Sequence, residues 1–271
     1  MAETKINSFE LLKKMRENKP LVHHITNWVT IYDCANITRA FGALPVMAHA
    51  KEESADMANI ASALVLNIGT LTPDLIDSMI SAGKSANKKG IPIILDAVGA
   101  GATKLRTDEC HKLLTELKIE IIKGNAGEIA TLAGAEAEVK GVESMGHEGD
   151  IAEIAKEFAK QKNATIAITG AKDIVVSPEG KVFEISNGHE MMGHVVGTGC
   201  MAASVIGSFA GVAKDKDYAV STAAALSSYG VAGELAAKSS KGPGTFKEGF
   251  YDAVYNLTED QLTNMQKIEQ Q

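Results

Sequence analysis

Short apolar runs alternate with amphipathic stretches of helical period along most of the chain. Leu64-Val65-Leu66-Asn67-Ile68 leads into Gly69-Thr70 and then Thr72-Pro73-Asp74, where Thr72 reads as an N-cap and Pro73 as the first helical residue. Ile91-Pro92-Ile93-Ile94-Leu95-Asp96 is the next run, ahead of a helical stretch beginning near Thr107. Ile119 to Ile122 reads as a further strand with a helix from about Ala126. Ala164 to Thr169 reads as another strand, after the amphipathic segment Ile151 to Lys160. These runs are apolar at both alternating positions, as strands covered on both faces are. Repeated units of this kind predict an α/β fold, with a mostly parallel central sheet covered by helices on both faces.

The pattern then changes. Ile174-Val175-Val176 and Lys181 to Ile185 flank the turn sequence Ser177-Pro178-Glu179-Gly180, which predicts a late β-hairpin. From there the pattern is helical, over about 197–212, 217–237 and 245–266, and the first two stretches are rich in Ala, Gly and Ser. No linker, low-complexity run or internal repeat interrupts residues 1–271, so a single domain is expected.

Composition narrows the function. At 45% hydrophobic and 23% charged residues the chain is globular in type. The 34 acids against 27 bases give a net charge of −7, which argues against a nucleic-acid partner. Cys34, Cys110 and Cys200 lie far apart, with neither the spacing of a zinc site nor that of a disulfide framework. Met1 to Pro20 is charged and does not read as a secretory signal. Val195 to Ala213 is uncharged over 19 residues, long enough for a membrane span. Its Gly-Thr-Gly opening and its Ser204, Gly207, Ser208 and Gly211 fit a buried helix with a small-residue face better. No membrane association and a cytoplasmic location are expected.

Two motif fragments carry no chemistry. Ala82-Gly83-Lys84-Ser85 has the tail of a phosphate-binding P-loop, but Ser78 stands where its first glycine is required, and the segment reads as exposed helix surface. His189-Glu190-Met191-Met192-Gly193-His194 spaces its histidines five apart, so a helix would not aim both at one metal. His23-His24 reads as a strand end.

Three segments do suggest chemistry. Val196-Gly197-Thr198-Gly199-Cys200-Met201 opens into a helix, where free N–H groups favour an anion and glycine allows close approach. Asp96-Ala97-Val98-Gly99-Ala100-Gly101 puts an acid and a glycine-rich loop at the carboxyl end of a strand, where open α/β sheets bind ligands. Lys123-Gly124-Asn125-Ala126-Gly127-Glu128 offers a cation, an amide and a carboxylate at the end of the next strand. Asp96 and Glu128 could share Mg²⁺ through water, with Lys123 facing phosphate. Each segment also has a plain turn or capping interpretation; jointly they point to phosphoryl transfer.

From Leu21 to Gly233 the chain resembles the hydroxyethylthiazole kinases of thiamine salvage, in the ribokinase-like superfamily. The resemblance is carried by His24-Ile25-Thr26-Asn27-Trp28-Val29-Thr30, Asp33-Cys34-Ala35-Asn36, Gly42-Ala43-Leu44-Pro45-Val46-Met47 and Asn67-Ile68-Gly69-Thr70-Leu71. It continues through the Asp96 loop, Gly124-Asn125 with Glu128, Ile168-Thr169-Gly170 and Gly197-Thr198-Gly199-Cys200. Cysteine after Gly-x-Gly is distinctive, because most of the superfamily places Asp there. The resemblance implies ATP-dependent phosphorylation of the hydroxyethyl group of 4-methyl-5-(2-hydroxyethyl)thiazole. Cys200 would be catalytic; Met47, Gly197, Asn27 and Val29 would bind substrate. Lys123, Thr169 and Gly199 would contact nucleotide, and Asp96 and Glu128 would be the Mg²⁺-associated acids. It also implies a homotrimer with the thiazole site at a subunit boundary, and the small-residue helices could also pack between chains.

Three positions depart from the family pattern. Lys123 stands where Arg is usual, which replaces a bidentate fork by a point charge. Ala97 replaces the proline of an Asp-Pro pair, and Tyr32 stands where Asn is common. The alternatives of the same fold are another vitamin-precursor kinase, for a hydroxymethylpyrimidine or pyridoxal, and a nucleotide-dependent repair dehydratase. A non-catalytic binding protein has no need for the Asp96, Glu128 and Gly-x-Gly set.

Overall fold

In the computed structural model, which describes residues 6–135 and 148–271, the apolar runs become strands of one nine-stranded sheet. They are β1 (Leu21–Ile25), β2 (Leu44–Val46), β3 (Ala63–Asn67), β4 (Ile93–Asp96), β5 (Ile121–Gly124), β6 (Thr165–Ile168), β7 (Asp173–Val176), β8 (Val182–Ile185) and β9 (Ile268–Gln270). The order is β2-β1-β3-β4-β5-β6-β7-β8-β9. Pairing is parallel from β2 to β6 and antiparallel from β6 to β9.

Alternation along the strands divides the core in two. Val22, Ala63, Val65, Ile94 and Ile121 face α1 (Ser8–Asn18), α2 (Ile31–Phe41), α8 (Thr198–Ala210), α9 (Tyr218–Ala237) and α10 (Pro243–Tyr255). Ile25, Leu64, Leu66, Ile93, Leu95 and Ile122 face α3 (Lys51–Ile60), α4 (Pro73–Lys89), α5 (Lys104–Glu116), α6 (Ala126–Ala133) and α7 (Glu148–Lys162). Each fully buried aliphatic side chain contributes about 1.5–3 kcal/mol relative to exposure. On the first face α8 lies directly on the strands. A Cβ at Gly207 would sit 2.5 Å from Val65 Cγ2, so hydrogen there sets how closely the helix approaches β3.

Local signals explain most boundaries. Thr72 caps α4 by accepting from Leu75 N, with Pro73 in the first turn. α5 begins earlier than Thr107, because Thr103 supplies its N-cap by accepting from Arg106 N. The stretch read as helical over 245–266 is two helices, α10 and α11 (Glu259–Met265), parted by a second cap at Thr258. Its tail adds β9 to the sheet edge. Among the described residues no helix is long and apolar enough to cross a membrane. The reading of Met1 to Pro20 falls partly on residues 1–5, outside the described ones; α1 occupies most of the rest. The uncharged segment at 195–213 is α8 and its flanks, buried on the sheet. The small residues of α8 and α9 are consumed inside the chain, so they lend no support to packing between chains.

Candidate active site

In-register pairing sets Asn67, Asp96 and Lys123 side by side at the carboxyl ends of β3, β4 and β5. Each follows its strand's first-face residue by two, so all three point to the face covered by α8. Lys123 Nζ donates to Asp96 Oδ1 at 2.9 Å, and Asn67 Nδ2 donates to Asp96 Oδ2 at 2.7 Å. Both members of the ion pair are buried, the lysine side chain 5% exposed and the aspartate 0%. Burial alone would lower the Lys123 pKa; the adjacent Asp96 carboxylate reverses this and raises it, so the lysine stays charged. A pair held so deep is sensitive to loss of either member.

The network continues to the helix start. Asn27 Oδ1 accepts from Val29 N, Thr30 N and Thr30 Oγ1, which fixes its amide orientation. Its Nδ2 therefore donates to Asn67 Oδ1 at 3.0 Å and to Cys200 Sγ at 3.3 Å. Cys200, third residue of α8, is half-buried with its sulfur accepting. A Cβ at Gly199 would stand 3.5 Å from Lys123 Nζ, which closes a ring from Cys200 through Asn27, Asn67, Asp96 and Lys123 back to the helix N-terminus. Gly197 has φ 97°, and a Cβ there would meet Thr30 Cγ2 at 2.7 Å, so glycine lets this turn pack on the Asn27 turn.

Glu128 stands at the third position of α6. Its Oε2 accepts from Asn125 N in a capping box, and its Oε1 accepts from Gly99 N at 2.7 Å. It thus ties the Asp96 loop to the end of β5. Arg106 does similar work: it donates to the carbonyls of Ile68, Gly69 and Val98 and joins the loops after β3 and β4.

A cavity of about 520 Å³ opens beside the ring. Its walls include Thr169 and Gly170 after β6, the segment Asn187–Glu190, Thr198 and Gly199 at the start of α8, and Leu226, Tyr229 and Gly230 of α9. Thr169 N donates to Gly124 O, which holds it beside β5. Asp173, also in the wall, accepts from Gly170 N; burial pushes its pKa up to about 6. Its walls are mostly apolar and include the first residues of α8, whose Gly199 adjoins Lys123, a setting that suits a nucleotide.

The hydroxyethylthiazole kinase family model matches residues 12–260. A hydroxyethylthiazole kinase of Methanosarcina mazei is 59% identical over 96% of this chain and 98% of that protein. One from Thermoanaerobacter sp. is 55% identical over 96% of this chain and 98% of its own length. The chain belongs to the hydroxyethylthiazole kinase family. The solved structure of the hydroxyethylthiazole kinase protein of Pyrococcus horikoshii OT3 superposes with a TM-score of 0.88 at 40% identity, over 97% of this chain and 98% of that one. A ribokinase-like superfamily protein of Enterococcus faecalis, 12% identical with a TM-score of 0.63, shares the fold, covering 94% of this chain and 90% of that one.

The residues that the family resemblance singled out differ in how they meet the ring. Asn27, Gly197, Gly199, Cys200, Asp96 and Lys123 converge on the ring, and Thr169 lines the adjoining cavity. Glu128 meets the ring through the Gly99 loop. Met47 follows β2 and is linked to the Asn27 turn through His49, which lies against Met47 O at 3.3 Å and accepts from Thr26 N at 3.1 Å. Val29 contributes its backbone N–H to Asn27, while its side chain is 66% exposed. Trp28, Tyr32 and Val196 are exposed at the same end.

Asn67 stood in a motif that carries the resemblance but was given no role, and Arg106 gave no signal, since their partners lie on other strands and loops. The P-loop-like segment lies within α4, but Ala82 and Gly83 are buried rather than exposed; a Cβ at Gly83 would strike Leu117, and only Lys84 reaches out, to Glu116. His189 caps a 3₁₀ turn over Glu190–His194, accepting from Met191 N. Among the described residues no three His, Cys, Asp or Glu side chains are gathered as a metal site would need.

Proposed function

We propose that the protein transfers the γ-phosphoryl of ATP to the primary hydroxyl of 4-methyl-5-(2-hydroxyethyl)thiazole, in one domain spanning the chain. The observation that carries this reading is the ring of Cys200, Asn27, Asn67, Asp96 and Lys123 between a nucleotide-sized cavity and the Asn27 turn. Thr169, Gly199 and Lys123 bind the phosphates, with Lys123 as a point charge fixed by Asp96. Asn27, Gly197, Met47 and Val29 hold the thiazole. As the hydroxyl oxygen attacks the γ-phosphorus and ADP leaves, Cys200 in its thiolate form takes the hydroxyl proton and becomes the thiol, while the N-terminal amides of α8 hold the transferred group. Cysteine at this position, in place of aspartate, favours the thiazole over pyrimidine or pyridoxal alcohols.

The acidic residues fit a Mg²⁺ that keeps most of its waters. Asp96 has one oxygen on Lys123 and the other on Asn67, so it suits a fixed charge behind water rather than a direct ligand. Each Glu128 oxygen carries one backbone N–H and retains a lone pair, so Glu128 would hold the ion. When bound, the ion neutralises charge on the transferred phosphoryl. The exposed Trp28, Val29, Tyr32 and Val196 around the acceptor side suit burial against a second copy of the chain, in a homotrimer. The location expected for this activity is the cytoplasm, with no nucleic-acid partner.

A coupled ADP-release assay with thiazole, pyrimidine and pyridoxal alcohols tests the assignment. The thiazole alcohol is expected to give the highest kcat/KM. Turnover confined to a pyrimidine or pyridoxal alcohol would overturn it.

A further inference from the structure

One wall of the cavity is held from outside the site. Asn187 follows β8, lines the cavity and is 6% exposed. Every polar atom of its side chain is engaged by elements remote in sequence. Nδ2 donates to Glu234 Oε1 at 3.0 Å and to Met265 O at 2.8 Å. Oδ1 accepts from Ser227 Oγ at 2.8 Å and from Lys267 N at 2.7 Å. Glu234, on α9, also accepts from Gly188 N at 3.2 Å and pairs with Lys267 Nζ at 3.1 Å. One carboxylate oxygen thus gathers a cavity amide, a buried carboxamide and a C-terminal ammonium. Burial would raise the Glu234 pKa, but these donors outweigh it and hold it below the usual range.

The backbone on the other side leaves little slack. A Cβ at Gly230 would stand 2.6 Å from both the carbonyl carbon and the Cβ of Asn187, so the wall rests directly on α9. Behind it, Ser186 N donates to Lys267 O, and β9 then pairs with β8. Lys267 and β9 lie beyond residue 260, where the family match ends.

We propose that Asn187, Glu234 and Lys267 are positioning residues for the nucleotide, through which the C-terminal segment fixes the Asn187-Gly188 wall of the cavity. None needs to touch the reacting atoms. Their effect is on how well the cavity is pre-shaped, so it falls on ATP and not on the thiazole alcohol. This rests on the reading of the cavity as the nucleotide site.

The test is steady-state kinetics with each substrate varied in turn, on full-length variants with thermal unfolding recorded beside them. Glu234→Ala strands three donors, two of them belonging to the wall. It is expected to raise KM for ATP about five- to thirtyfold, the scale of one or two lost hydrogen bonds. Saturated kcat and KM for the thiazole alcohol should stay within about twofold. Glu234→Gln keeps an acceptor oxygen and should recover most of the ATP affinity. Lys267→Ala, at a more exposed position, should raise KM for ATP by about two- to fivefold and Lys267→Arg should restore it; this pair also serves if Glu234→Ala does not fold. An unchanged KM for ATP in folded Glu234→Ala and in Lys267→Ala, or an equal rise for both substrates, overturns the proposal. Gly193→Trp separates the two readings: Gly193 lines the cavity with open space around it, and a tryptophan there should block ATP. If Gly193→Trp binds ATP normally, the nucleotide-site reading has failed, and this proposal with it. If Gly193→Trp blocks ATP while the Glu234 and Lys267 variants are silent, the wall proposal alone has failed.

Discussion

The two sides of the ring are built differently. On the donor side the cavity is walled by β6, the Asn187 segment, α8 and α9, and its polar groups are tied to one another within the chain. On the acceptor side, Trp28, Val29, Tyr32 and Val196 are largely exposed, and Met47 is linked to the Asn27 turn through His49. The proposed donor side is walled within one chain; the proposed acceptor side is a polar turn fringed by exposed apolar side chains. Large exposed apolar patches mark interaction surfaces. If the proposed roles hold, the site divides its labour: phosphate chemistry is fixed inside one subunit, and recognition of the alcohol is finished by a second copy.

Removing a group on the seam should hurt most. Cys200→Ala is expected to lose about 10²–10⁴-fold in kcat, the range of general-base assistance, while both substrates still bind. Cys200→Asp should remain active, since a carboxylate accepts a proton at neutral pH. A fully active Ala variant beside a dead Asp variant would mean that Cys200 only fills space.

On the donor side, Lys123→Met leaves Asp96 buried without its cation and should cost about 3–5 kcal/mol in urea unfolding, with ATP binding lost. Lys123→Arg should keep activity and strengthen ATP binding through a fork. Glu128→Gln should raise the Mg²⁺ concentration needed for half-maximal turnover, more than Asp96→Asn does. Equal Mg²⁺ dependence in all three proteins would break the assignment of these acids.

Acid should loosen the acceptor side. His24, fully buried in β1 beneath α2, has its pKa lowered from 6.5 to about 3, by desolvation foremost. The unfolded chain therefore takes up the proton first. Its contribution is whole above pH 6.5 and is lost progressively toward pH 3, at up to about 1.4 kcal/mol per pH unit. Urea midpoints across this window should show that slope, and His24→Asn should flatten part of it.

What was legible in the sequence follows from what is local. β3 to β8 announced themselves as apolar runs, because strands buried on both faces need no polar alternation. β2 did not: it has three residues, one of them Pro45, which an edge strand tolerates since that side needs no partner. β9 carries Glu269 and Gln270 and earns its place through backbone pairing to β8, which no side-chain pattern reports. Cys200 was visible because Gly-x-Gly at a helix start is a local signal. The contacts of Asn67 with Asp96 and Asn27, 29 and 40 residues away, become visible only when strand register brings them together.

The division between the two halves has one direct test. Tyr32 is 74% exposed in the first turn of α2, so Tyr32→Glu should oppose assembly while leaving the ring intact. Light scattering and calorimetry on this variant, beside the unaltered protein, measure assembly and the affinities for ATP and thiazole alcohol together. The account predicts a trimer reduced to monomer, ATP affinity kept within about twofold, and thiazole affinity lowered at least tenfold, the scale of about 1.4 kcal/mol of lost contact. A monomer that binds the thiazole alcohol as tightly as the unaltered protein would contradict it.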